Sequence, residues 1–246
     1  MIVAGFDLET EWLDPVDPNK ARIWEAAIVL WDTNVNSPLT FYQSLIWMPD
    51  YVFDPRMAIS KEALEQFGIA PVRALDHIRK LFGEADAIVA HNGKDFDKIV
   101  LEQEYLRHGF HQEPSDKLWI DTTVDVPYPK NMETRKLEFL GPLHGFLNPY
   151  SHRALFDVCS MLKIASVYDW NEIFRRAKTP DVYVVADVQK PWEDASKSVD
   201  AAKLRGYRFD KESKRWYKKI KADELEQERA QASFRVGVWK KKEETK

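Results

Sequence analysis

Three short segments, far apart in the chain, place four acidic residues and one histidine at spacings that suit metal-dependent cleavage of a phosphodiester. They are Phe6-Asp7-Leu8-Glu9-Thr10, His91-Asn92-Gly93-Lys94-Asp95-Phe96-Asp97 and His152-Arg153-Ala154-Leu155-Phe156-Asp157. Asp7 and Glu9 are two positions apart. On a strand this points both carboxylates to one face, where they repel unless a cation joins them. Hard divalent ions are the natural partners, because Mg²⁺ takes carboxylate oxygens and keeps several waters. The plain alternative is a solvated strand end, where acids are common.

Asp97 follows a strand-like run and a His-Asn-Gly loop and stands where a helix begins. Ligands collect at strand ends in α/β sheets; the alternative is a helix-capping acid. Asp95 competes for the same role, with a loop from His91 that is shorter by two residues, and ranks below Asp97. His152 and Asp157 are five positions apart. In a regular helix of about 3.6 residues per turn they would point about 140° apart. They converge only if His152 sits at or before the first turn, and Pro149 makes a helix start there reasonable. His152 would then be available to take a proton from water.

The elements that must hold these residues can be read from apolar spacing. Ile2–Asp7, Arg22–Asp32 and Thr40–Met48 are strand-like and suggest an antiparallel meander. Ser60 precedes a short helix over Lys61–Phe67, with Gly68 as a cap behind it. Helical spacing follows over Pro71–Phe82, a buried strand over Ala85–Ala90, a helix over Asp97–His108 and a strand over Leu118–Ile120. Leu137–Leu143 and Arg153–Val167 read as further helices. Strands first, then alternating helix and strand, is an α/β pattern with a mixed sheet.

The pattern changes near Thr179-Pro180. Tyr183–Val188 reads as a strand, and Gly206–Phe209 with Arg215–Lys218 as a β-hairpin around a polar break at Asp210–Lys214. Residues 222–232 read as a helix and Lys240–Lys246 as a frayed tail. The chain is therefore read as a domain over residues 1–180 and a small α+β module over residues 181–246.

Composition narrows the classes. The 246 residues are 44% hydrophobic and 31% charged, an ordinary globular balance. No apolar run approaches the ~20 residues needed to span a bilayer, so no membrane association is expected. The single cysteine, Cys159, excludes an intrachain disulfide, and a cytoplasmic setting is the default. Net charge is −4, but it is unevenly spread: residues 186–246 carry 17 Lys and Arg against 12 Asp and Glu, a net of +5 that leaves −9 for the rest. Lys203–Lys221 holds nine Lys and Arg, interleaved with Tyr207, Phe209, Trp216 and Tyr217. Cations for phosphates and aromatics for bases are what a single-strand platform needs; the alternative is an ordinary hairpin whose aromatics form its own core.

Taken together, the three segments resemble the motifs of the DEDDh 3′–5′ exonuclease superfamily, whose members include bacterial exonuclease X and the proofreading subunit of the bacterial replicative polymerase. FDLET is similar to the family's Asp-x-Glu-Thr motif, HNGKDFD to its His-Asn-x-x-x-Phe-Asp form, and HRALFD to its third motif. The likeness extends over about residues 1–165, through Trp24-Glu25-Ala26-Ala27, Ile120-Asp121-Thr122 and Lys136-Leu137. It implies an RNase H-like five-stranded mixed sheet flanked by helices and two Mg²⁺ or Mn²⁺ ions held by Asp7, Glu9, Asp97 and Asp157. It also implies His152 as general base and release of nucleoside 5′-monophosphates from 3′ ends.

Thr10, Trp12, Asn92 and Phe96 become candidate substrate contacts. The chain departs from the family at Glu11-Trp12, where Thr-Gly is frequent, and at Phe67, where His is frequent. Trp12 either stacks on the terminal base or belongs to the core. DNA is the favoured substrate, single strands or 3′ ends above all, in settings such as repair. An exoribonuclease on the same fold is the alternative, and so is a catalytically idle polymerase- or DNA-binding module, against which the complete set of five residues argues. Association with a polymerase stays open.

Overall fold

Strand β1, Ile2–Thr10, lies at the centre of a five-stranded sheet. It pairs antiparallel with β2 (Ile23–Asp32) on one side and parallel with β4 (Ala87–Ala90) on the other. β3 (Ser37–Leu45) extends the sheet beyond β2, and β5 (Leu118–Asp121) extends it beyond β4. The order is β3-β2-β1-β4-β5, a mixed sheet. Pro38, which lacks a backbone N–H, sits at the register shift of the edge strand β3, opposite Trp31, where proline is tolerated. The computed structural model describes residues 1–11, 17–54, 57–110, 117–129, 132, 134–189 and 193–239.

The two faces of β1 do different things. Ala4, Phe6 and Leu8 enter a core with Leu75, Ile78 and Phe82 of α2 (Pro71–Gly83) and Val100, Leu101 and Tyr105 of α3 (Asp97–Arg107). Phe6 meets Phe82 edge to face at 5.0 Å. Burying side chains of this size stabilises by roughly 1.5–3 kcal/mol each. Gly5, Asp7 and Glu9 alternate to the opposite face, where α5 (Ala154–Ala165) lies beside α4 (Leu137–Leu143). A Cβ on Gly5 would stand 2.6 Å from Leu162 Cδ1 and 2.8 Å from Val158 Cγ1, so α5 rests directly on the backbone of β1. Helices thus flank both faces of the sheet, as an α/β reading requires.

Local chemistry explains the helix ends. The Ser60 hydroxyl accepts from Ala63 N at 3.2 Å and caps α1 (Lys61–Phe67). Gly68 donates its N–H to Leu64 O at 2.8 Å, but its φ of −72° is open to any residue. Space is what demands glycine there, since a Cβ would meet Trp47 Cβ at 2.6 Å.

The chain divides into two units, Met1–Val126 with Lys136–Phe174, and Pro127–Arg135 with Arg175–Lys246. The helix α6 (Trp170–Lys178) is absent from the sequence reading, although Trp170, Ile173 and Phe174 recur at helical spacing and are buried; the division falls after Phe174, within it. The second unit holds a four-stranded antiparallel sheet in the order β7-β8-β6-β9, from β6 (Asp181–Asp187), β7 (Arg208–Asp210), β8 (Arg215–Lys221) and β9 (Arg235–Val238). The short helices α7 (Val199–Leu204) and α8 (Leu225–Gln231) complete it.

Val184, Ala202, Tyr207, Ile220, Phe234 and Val236 form the core of the second unit. The expected hairpin is β7–β8, turned by Lys214 at φ 53° with Ser213 N donating to Asp210 Oδ2. Of its four aromatics, Tyr207 is core, Trp216 packs against the core and lies 5.4 Å from Phe209, and Tyr217 faces the other side of the sheet. The tail expected over Lys240–Lys246 lies outside the described residues. Among the described residues no helix is long and apolar enough to cross a membrane.

Candidate active site

Asp7 and Glu9 leave β1 on the face covered by α5, and Asp157 leaves the first turn of α5 toward them. One carboxylate oxygen from each of the three lies within 4.8 Å of the others. Asp97, the first residue of α3, is buried, and its Oδ1 accepts from the N–H of Leu8 at 3.1 Å, the residue between the two β1 acids. Asp95 is exposed.

Burial and mutual repulsion govern the charges. Burial drives Asp7 well above the ordinary carboxylate range, and the neighbouring Asp97, Glu9, Asp157 and Glu25 add to it. Glu9 is pushed up to about 8, by burial first and then by Asp157, Glu25 and Asp97, with the Arg153 cation opposing. Asp97 rises to about 7, chiefly through burial. Burial also raises Asp157, opposed by the bonds it accepts. Among the described residues no lysine or arginine forms an ion pair with Asp7 or Glu9. Asp7 and Glu9, raised by the acids around them and paired to no lysine or arginine among the described residues, form with Asp157 a donor set suited to hard divalent ions.

His152 lies before the helix, as the five-residue spacing to Asp157 requires. Arg153 is the N-cap of α5, and His152 adopts a left-handed backbone at φ 63°. Its N–H donates to Asp157 Oδ2 at 2.9 Å, while Asn148 Nδ2 donates to Asp157 Oδ1 at 2.7 Å. The Asp157 carboxylate is thereby held by two donors and turned toward β1. The His152 side chain is exposed.

The substrate candidates are placed as follows. Thr10 ends β1, and its carbonyl accepts from Trp24 Nε1 at 3.0 Å. Asn92 is exposed at φ 63°, and its N–H donates to Asp121 Oδ1 at 3.1 Å. Phe96 precedes α3 and packs on the sheet's core. Trp12 lies outside the described residues.

Several residues to which the motifs assign no role stand beside this group. Glu25 is fully buried and opposite Glu9 in the β1–β2 register. Arg153 clamps it through Nε at 3.0 Å to Oε2 and Nη2 at 3.2 Å to Oε1, and Gln43 Nε2 also donates to Oε1. A lone acid near the start of the otherwise apolar Ile23–Trp31 run is the signal that could have singled it out. Asp121, fully buried, receives Thr123 N and Oγ1 as well as Asn92 N on Oδ1. Its backbone N–H donates to Asp125 Oδ2, which also receives Lys94 Nζ at 2.9 Å. These bonds tie the loop before Asp97 to the end of β5.

No family model matches the sequence, and no curated protein does. Solved structures do resemble the fold. Exonuclease I, in the structure that suggests how its processivity is achieved, superposes with a TM-score of 0.58 at 16% identity, over 78% of this chain and 50% of its own. Exonuclease I of E. coli with a dA16 oligonucleotide gives 0.58 at 16%, over 76% and 48%. A 3′-exonuclease in 3′-end-specific recognition of a histone mRNA stem-loop gives 0.53 at 15%, over 68% and 62%. The chain thus spans about half to three-fifths of the length of these neighbours. The likeness is one of fold: the five-stranded mixed sheet with its flanking helices is the RNase H-like architecture of these exonucleases.

Proposed function

We propose that this chain is a divalent-metal-dependent 3′–5′ exonuclease acting on single-stranded DNA ends. The observation that carries the reading is the convergence of Asp7, Glu9 and Asp157 oxygens within 4.8 Å. Asp7, Glu9, Asp97 and Asp157 would hold two Mg²⁺ or Mn²⁺ ions. When bound, such ions make water a nucleophile at neutral pH and neutralise charge at the departing 3′ oxygen.

The chain's own residues do the rest. His152, on a strained backbone before α5, takes the proton from the attacking water as general base. Asn148 and the His152 N–H fix the orientation of the Asp157 carboxylate. Arg153, locked on Glu25, holds the segment that carries His152. Cleavage at the 3′ end releases nucleoside 5′-monophosphates. Thr10, Trp12, Asn92 and Phe96 are the proposed contacts to the terminal nucleotides. In this reading residues 1–180 form the exonuclease domain and 181–246 a separate basic module.

Support for DNA comes from neighbours solved with dA16, dT13 and single-stranded DNA, one of them a zinc-bound form. The neighbour that recognises the 3′ end of a histone mRNA stem-loop favours a second reading, an exoribonuclease on the same fold. The test incubates 5′-labelled single-stranded DNA, duplex DNA and RNA with Mg²⁺, Mn²⁺ or EDTA, beside Asp7→Ala. A 3′-to-5′ ladder is expected, lost in EDTA and reduced on the order of 10³-fold or more by the substitution. A ladder that survives Asp7→Ala refutes the site, and the relative rates on DNA and RNA decide between the two substrates.

A further inference from the structure

The second unit has a sheet with two unlike faces. Strand alternation sends Val184, Trp216, Ile220 and Val236 to its core. The opposite face carries Tyr183 on β6, Tyr217 on β8 and, just past β9, Trp239, which donates its N–H to Tyr183 O at 2.8 Å. Their rings form one cluster, with centroids 6.2 Å apart for Tyr183–Tyr217, 6.3 Å for Tyr183–Trp239 and 5.5 Å for Tyr217–Trp239. All three are partly exposed. Gly237 lies opposite Val185 on the same face, so no side chain rises beside Trp239 on β9.

Cations border these rings. Arg208 is the cross-strand neighbour of Tyr217, Arg215 is two residues before it, and Arg235 is on β9. All three are exposed, and none forms an ion pair with a carboxylate among the described residues, although Asp210 and Asp187 stand across from Arg215 and Arg235. Lys219 Nζ reaches over the Tyr183 ring at 5.9 Å.

We infer that this face binds single-stranded nucleic acid, with bases stacking on Tyr183, Tyr217 and Trp239 and the backbone phosphates meeting Arg208, Arg215 and Arg235. A four-stranded sheet with neighbouring, partly exposed aromatics on one face offers clustered ring surfaces on which bases can stack. Stacking tolerates any base, because every base has a π-face, and exposed arginines neutralise phosphates without reading sequence. Duplex DNA hides its base faces and is the poorer ligand. The assignment stands apart from the nuclease reaction proposed above.

The test titrates the full chain into a fluorescent oligothymidylate of about 15 nucleotides, with EDTA present, and follows anisotropy. Tyr217→Ala/Trp239→Ala is expected to weaken binding about a hundredfold, about tenfold for each ring. Tyr217→Phe/Trp239→Phe keeps the stacking surface and is expected to stay within about threefold of the parent. Arg208→Gln/Arg215→Gln/Arg235→Gln changes only exposed side chains. It is expected to flatten the slope of log affinity against log salt by about 2.

Asp7→Ala is expected to bind as the parent does, so failure of the nuclease reading leaves this one standing. The aromatic and arginine variants should still cleave the p-nitrophenyl ester of thymidine 5′-phosphate at the parent rate, so failure here leaves the nuclease reading standing. An oligouridylate should bind comparably. Unchanged affinity in the alanine pair and an unchanged salt slope in the arginine set overturn the inference, as does tighter binding of duplex. If circular dichroism shows the alanine pair misfolded, the arginine set decides alone.

Discussion

Two buried carboxylate arrangements in this chain carry opposite signs. In the second unit, Glu228 on α8 accepts from Arg205 Nε at 3.0 Å and Nη2 at 2.9 Å, and from Tyr207 Oη at 3.3 Å, with Lys218 Nζ at 3.5 Å. Burial opposes its charge, yet these partners outweigh burial and hold its pKa below the usual range. In the first unit, Asp7 and Glu9 face other carboxylates and are driven up. The first arrangement is complete in itself and contributes to the fold. The second is costly to ionise in the protein alone, and under the proposed function a divalent ion would relieve it.

The largest effect that would break the comparison comes from removing one member of each. Asp7→Asn is expected to abolish nuclease activity, on the order of 10³-fold or more, while the metal-free protein melts at the same temperature or higher, because a buried repulsion is gone. Glu228→Ala is expected to leave the metal site intact and to cost about 2 kcal/mol of stability, less than a fully buried pair would, since Arg205 is partly exposed. Calorimetry in EDTA alongside the labelled-DNA assay reads both. A destabilised Asp7→Asn with active residual enzyme would reverse the assignment.

A middle-sized effect should follow from the clamp between the strands and the His152 segment. Arg153→Ala leaves Glu25 buried and without its cation. Activity is expected to fall about 10- to 100-fold, through misplacement of His152 and Asp157. A KM-against-kcat split locates the loss: a fall confined to KM would argue that Arg153 holds substrate instead.

The smallest and most diagnostic effect is the pH dependence of stability. Glu9 has a folded pKa above its unfolded value, so it favours the folded state most below about 4.5, and that contribution is lost as pH rises to about 8. Asp97 acts the same way up to about 7. Glu228 is depressed, so its contribution is present above the ordinary carboxylate range and lost as pH falls through it. Melting in EDTA should therefore weaken from pH 5 to pH 8.5. Added Mg²⁺ should raise the melting temperature more at pH 8.5 than at pH 5, and an equal rise at both would count against ionised Glu9 as a ligand.

Much of this is legible in the sequence alone, and the residues show why. Phe6–Glu9 alternates apolar and acidic residues, so a local period is enough to put Asp7 and Glu9 on one face, although the strand runs to Thr10, past the Asp7 at which the apolar run ends. The five-residue step from His152 to Asp157 required a break before the helix, and the break is the left-handed turn at His152. Glu25 and Arg153 were in plain sight, yet 128 positions separate them, and pairing at that range is set by strand register rather than by local pattern. The aromatic face of the second sheet was hidden for the same reason. In sequence Tyr217 stands with Tyr207, Phe209 and Trp216, whereas its neighbours in space are Tyr183 and Trp239. The short β9, only Arg235–Val238, is held by its pairing with β6 more than by its own residues.

Gly5 takes part in none of this chemistry, yet the distance between helix and sheet is set there. A single added carbon there would stand within 2.8 Å of the Leu162 and Val158 side chains of α5, so those side chains or the helix itself must give way. An alanine at position 5 would keep every acid, every arginine and every hydrogen-bond donor in the sequence. It would press α5 outward and carry Asp157 away from Asp7 and Glu9. The gauge of the acidic cluster is written two residues upstream of its first member, in an atom the chain does not have.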